Sequence, residues 1–339
     1  MSSLQSGTPP ATSAAGAAAS LRPLSIGELF DRAFNLYFRH VLTFAAILLV
    51  MVIPFALIQY FMYKDTLGAS MDVIQAVAQH PGNPPDLSKL QAAQDNPLVY
   101  VLLPFYYLFA FFAVPLANAA VVSGVSRAYL GLPVRFADCY RHAFSRWGWV
   151  LLLVLLWGAI IFLLVFTMVF AIVLIAVALG ALAALIKTPG EVIAAIVGIG
   201  MFLAFLALMV MLYMAFASSF IATVLEKVDP LRGFVLGITR IFGGKQFWRS
   251  FWVACALLVI GLAFALVAAG AGGLASYATK APLLYLLIAN IAQIFFTAFA
   301  FTVVALYYYD IRIRREGFDL QLLADQLPAA RSSTPPTAT

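Results

Sequence analysis

The chain has 339 residues, of which 64% are hydrophobic and 10% charged, and its formal net charge is +6. A soluble domain holds about 45–50% apolar and about 25% charged residues, so this composition and the mean hydropathy of +1.00 exclude an ordinary soluble domain and point to a polytopic membrane protein. Two cysteines, Cys139 and Cys255, are too few for a disulfide framework and lack metal-ligand spacing.

Residues 1–20 are small and polar, with no charged side chain and no signal-peptide core, so they are expected to form an uncleaved disordered tail. Residues 328–339 read the same way, leaving 21–327 as a single transmembrane domain. It opens on "LSIGELFDRAFNLYFRH". Ser25 and Glu28 make a capping box, with Pro23 just before it. Ile26, Leu29, Phe30, Ala33, Phe34, Tyr37 and Phe38 then recur on one helical face, with Glu28, Asp31, Arg32, Asn35 and Arg39 opposite. That pattern predicts an amphipathic helix lying in the membrane interface.

A span needs about 20 apolar residues to cross about 30 Å of hydrocarbon. Six stretches qualify: 41–63, 98–125, 148–176, 194–224, 250–272 and 282–309. The third and fourth belong to apolar runs, 147–186 and 192–225, long enough to be tilted helices, with a break near Gly180 or eight spans as the alternatives. The loop at 64–97 is expected to carry a short helix around "MDVIQAVAQH". Pro54, Pro104 and Pro115 fall inside spans.

The opening pattern recurs in "VRFADCYRHAFSRW" and "DPLRGFVLGITRIF". At offsets of 110 and 98 residues Ile26, Phe136 and Phe234 align, as do Arg32, His142 and Arg240; Gly237 stands where Leu29 does, making the third copy the weakest. The expected architecture is all-α, with six transmembrane helices built as three repeats, at about 23–129, 130–226 and 227–327, of an interfacial helix plus a helical hairpin. With the N-terminus inside, 16 of the 20 basic residues face inward, and Lys64, Lys89, Lys187 and Lys280 face out. This bias predicts an inner-membrane protein with both termini cytoplasmic.

Chemistry is sparse. Asp, Glu, Lys and Arg are absent from the centres of the six spans, where they would mark transport or proton relay. The intramembrane polar candidates are Asn118, Asn290, Gln293 and Thr297, the last three on one face of the sixth span, with Gln59 among the remaining polar residues. They read first as interhelical hydrogen bonds and second as the lining of a polar path. The basic candidates for lipid headgroups are Arg32, Arg39, Arg141, His142, Arg240 and Arg312. Asp138 and His142 are i, i+4 neighbours and read as a solvated helix face. Catalytic motifs are not found, and neither cofactor nor metal is expected.

Two segments, "RPLSIGELFDRAFNLYFRH" and "LYYYDIRIRREGFDLQLL", resemble bacterial membrane proteins grouped with the membrane domain of glycerophosphoryl diester phosphodiesterases, over about residues 21–327. In the enzymes of that family a separate soluble barrel performs the hydrolysis. The residues after the last span are too few for such a barrel, so the resemblance implies the membrane module without the activity, and no catalytic residue carries over. The expected function is a non-enzymatic membrane module that meets anionic phospholipids, a membrane partner protein or a second copy of itself, with no nucleic acid as partner. The alternative is a transporter or exporter of a lipid or small molecule.

Overall fold

Away from water, a run of apolar residues can satisfy its own backbone polar groups only as a helix or a closed barrel. The computed structural model describes residues 23–80, 87–186, 188–244 and 246–317, and among these it has helices and no strand. The helices are α1 (Ile26–Gln79), α2 (Ser88–Gln94), α3 (Pro97–Tyr129), α4 (Phe136–Ile186), α5 (Thr188–Leu225), α6 (Pro230–Phe242), α7 (Gln246–Thr279) and α8 (Leu283–Glu316). Six of them (α1, α3, α4, α5, α7 and α8) are long and apolar enough to cross a membrane. The two expected tails lie outside the described residues.

Six such helices stand rather than eight because α4 runs unbroken through Gly180 to Ile186, and α5 runs unbroken from Thr188 to Leu225. Pro54, Pro104 and Pro115 stay inside α1 and α3 without ending either helix. The capping box closes as read: Ser25 Oγ accepts from the Glu28 amide at 3.2 Å, and Glu28 accepts from the Ser25 amide at 2.8 Å.

The amphipathic segments differ from expectation in one respect. The first and second are not separate elements but the opening turns of α1 and α4. Helix α1 has 54 residues, or about 80 Å at 1.5 Å per residue, so it also absorbs the helix expected around "MDVIQAVAQH". Neither junction carries a proline or a glycine pair to break it. Before α7, by contrast, Gly244 takes φ +65°, and α6 stands apart.

One side of these opening turns packs on protein, while Phe34, Phe38, Phe136 and Phe144 stay exposed. Leu29, Cys139 and Gly237 share one aligned position and Ala33, Ala143 and Ile241 another, and all six are buried. The start of α1 meets α8 through Phe34 and Tyr37, whose rings lie 5.4 and 5.8 Å from that of Phe299. The start of α4 meets α3, where Arg127 Nη2 lies 3.1 Å from Asp138. Helix α6 presses on α5 through the G-x-x-x-G of "GFVLG": a Cβ on Gly237 would sit 2.5 Å from the Ala215 carbonyl oxygen and 2.8 Å from the Ser219 amide.

Burial concentrates toward one end. Residues 119–126 of α3, the last turns of α5 and most of α8 beyond Ala298 are buried. Farther along, apolar side chains stand out from the bundle: Phe162 is 73% exposed and Val267 71%. Such a surface suits lipid as its solvent, not water. Gly237→Ala is expected to push α6 off α5 and to cost about 1–3 kcal/mol, read as a lowered melting temperature of the detergent-purified protein; an unchanged melting temperature would contradict this close contact.

Candidate functional site

Helix α8 ends in an arginine-rich stretch that opens with Tyr307, Tyr308, Tyr309 and Asp310. Successive residues of a helix point about 100° apart, so these four side chains reach different neighbours. The Tyr307 hydroxyl lies 2.7 Å from Ser250 Oγ of α7, and the Tyr309 hydroxyl 2.7 Å from Ser126 Oγ of α3. Tyr308 donates to Glu226, just after α5, and accepts from Arg240 Nη1 of α6 at 2.8 Å. Asp310 Oδ1 accepts from the Leu24 amide at 2.7 Å, ahead of α1.

Two ionic groups surround this stretch. The fully buried Asp310 carboxylate faces Arg249 Nη2 at 2.9 Å and Arg314 Nε at 3.0 Å. Both arginines also donate to the Leu24 carbonyl, at 2.5 and 2.6 Å. One backbone unit is thus held at its N–H and its C=O. In the second group Arg240 Nη1 lies 2.9 Å from Glu226 and Arg240 Nη2 2.6 Å from Glu316. Burial alone would raise the Glu226 carboxyl. Hydrogen bonds from Tyr308 and Arg240 and the charges of Arg240 and Arg312 outweigh it, and hold its pKa below the usual carboxylate value.

The six basic candidates therefore separate. Arg240 is 4% exposed and its guanidinium is engaged inside the protein. Arg312 Nε lies 3.0 Å from Glu316 and 3.4 Å from Glu226. His142 Nε2 lies 3.0 Å from the Val224 carbonyl; a carbonyl only accepts, so this nitrogen carries the proton. Asp138 pairs with Arg127, so Asp138 and His142 each have another partner. Arg141 is exposed on α4. Arg32 and Arg39 share a pocket of about 410 Å³ with Asn35 and Tyr129.

All four intramembrane candidates line one cavity. Asn118, Asn290, Gln293 and Thr297 border a space of about 490 Å³ between α1, α3, α5 and α8, together with Gln59, Tyr106 and Tyr213. Asn290 Nδ2 donates to Gln59 Oε1 at 3.0 Å, Gln59 Nε2 to Tyr106 at 3.3 Å, and Gln293 Nε2 to Thr297 at 2.9 Å. Asn118 Oδ1 is buried without a hydrogen-bond partner among the described residues. The polar groups bear on both readings made from the sequence: Gln59 bonds across helices to Asn290 and Tyr106, and the amides form one wall of the space. Among the described residues no three His, Cys, Asp or Glu side chains gather as a metal site.

Sequence reasoning missed the partners of Arg240. Glu226 and Glu316 lie 14 and 76 residues away, beyond what one helix's periodicity can register. A signal was present in the four adjacent polar-tipped residues Tyr307–Asp310 at the edge of an apolar span.

A family model described as "Domain of unknown function (DUF8558)" matches residues 17–334, and the chain belongs to that family. No curated protein and no solved structure matches the chain.

Removing one partner of a buried ion pair costs about 3–5 kcal/mol, so Arg240→Met is expected to lower the melting temperature sharply, and an unchanged value would contradict the pairing. The acid dependence follows from the sign of the Glu226 shift. A carboxyl with a lowered folded pKa contributes stability that is fully present above its unfolded value, 4.5, and is lost as pH falls through the folded value. Melting temperatures measured downward from pH 4.5 should therefore fall, and less steeply in Glu226→Gln; equal slopes would contradict the assignment.

Proposed function

We propose that this member of the family is a non-enzymatic inner-membrane protein, with both termini cytoplasmic, that holds anionic phospholipid headgroups at its arginine-rich end. The pocket of Arg32 and Arg39 carries the reading, since both arginines line it together with Asn35 and Tyr129. The distribution of basic residues supports the orientation, with 16 of the 20 on one side of the spans. Burial at the aligned positions Leu29, Cys139 and Gly237 supports three related units. The resemblance to the phosphodiesterase membrane domain fits such a module, which needs no catalytic residue of its own.

A second reading, transport or export of a lipid or small molecule, is favoured by the cavity bordered by Asn118, Asn290 and Gln293. Helix-lined cavities with few polar groups are common ligand sites.

Each basic residue near an anionic surface contributes about 1 kcal/mol. Arg32→Gln combined with Arg39→Gln is therefore expected to lower retention of phosphatidylglycerol about thirtyfold, measured by native mass spectrometry in mild detergent; unchanged retention would remove the headgroup reading. For the second reading, cysteines placed at positions 118, 290 and 293 should react with a polar thiol reagent, and full protection at all three would remove it.

A further inference from the structure

The cavity between α1, α3, α5 and α8 has a distinctive chemistry. Amides and hydroxyls supply its polar wall, and none of its lining residues is Asp, Glu, Lys, Arg or His. An ion placed there would be buried unpaired, which neutral dipoles offset poorly. A neutral group bearing hydroxyls would meet amides that both donate and accept, and would supply the donor that Asn118 Oδ1 lacks.

Beside this cavity lies a second space of about 590 Å³, lined by apolar side chains that include Ala110, Phe111 and Val154. Val114, Asn118, Phe216 and Phe301 border both spaces. Asn118 therefore stands where a polar wall gives way to an apolar one. A mostly apolar compartment with one polar wall, joined to an apolar cleft, suits a molecule with two unlike ends.

We propose that the two spaces form one binding site for a neutral, hydroxyl-bearing amphiphile. Its headgroup lies against Gln59, Asn118, Asn290 and Gln293, and its acyl chain lies in the cleft beside Ala110 and Val154. This rests on the cavity reading and not on the arginine pocket, where an anionic headgroup is expected. The two sites thus select opposite chemistries: guanidinium groups for phosphate at the rim, and amides for hydroxyls within the span.

The test offers the full-length protein, in mild detergent, two lipids with the same chain: 1-monooleoylglycerol, which is neutral, and 1-oleoyl-lysophosphatidic acid, which is charged. Native mass spectrometry reads the bound fraction of each. The wild type should retain the monoacylglycerol in preference. Asn118→Leu, which removes the polar contact, and Ala110→Trp, which fills the cleft, should each lower that retention about tenfold, while Arg32→Gln should not. Equal or stronger retention of the charged lipid, still lost in both variants, would overturn the neutral class and leave the cavity standing. Retention of the monoacylglycerol that neither variant changes, or no retention at all, would overturn the site. Full protection of the three engineered cysteines would overturn the cavity reading beneath it.

Discussion

Charge at the edge of an apolar bundle must be paired, and that requirement organises the arginine-rich end of this protein. A carboxylate as deeply buried as Asp310 is tolerable only with cations and hydrogen-bond donors on hand. Arg249 of α7, Arg314 of α8 and the Leu24 amide supply them. The same pairing fixes where three separate parts of the chain must stand. Tyr307, Tyr308 and Tyr309 extend the tie to Ser250, Glu226 and Ser126. Four successive residues of one helix thereby bind the ends of α3 and α5 and the starts of α7 and α1.

The rest of the bundle follows from having one tied end. Small residues let helices approach there, as Gly233 and Gly237 do against Thr223 and Ser219. Beyond the tie the helices present large apolar side chains outward, Phe162 and Phe166 among them. The space that opens between α1, α3, α5 and α8 is lined partly by amides, of which Asn290 and Gln59 bond across helices while the Asn118 acceptor is left over. A close-packed end and a cavity further along are therefore two consequences of a single arrangement.

Local pattern carried far in this chain, and long-range pairing did not. The capping residues Ser25 and Glu28, the six apolar spans and the polar face of Asn290, Gln293 and Thr297 were all legible, because each is set by spacing within one helix. Arg240 looked from spacing like a headgroup ligand. It is instead paired inside the protein with Glu226 and with Glu316, which folding brings in from 76 residues away. Gly237 looked like a weak copy of the Leu29 position, yet its missing side chain is what lets α6 reach α5. The join between the amphipathic start of α1 and its span carries no breaking residue, but an interfacial pattern and a docked helix share the same periodicity.

The most direct test of the tied end is amide hydrogen exchange of the full chain in lipid nanodiscs, comparing the wild type with Asp310→Asn. If Asp310 holds the start of α1 against α8, the substitution should lower protection at residues 24–33 and at the beginning of α7, and leave residues 117–126 of α3 unchanged. A uniform loss along the chain, or no change at residues 24–33, would contradict the account.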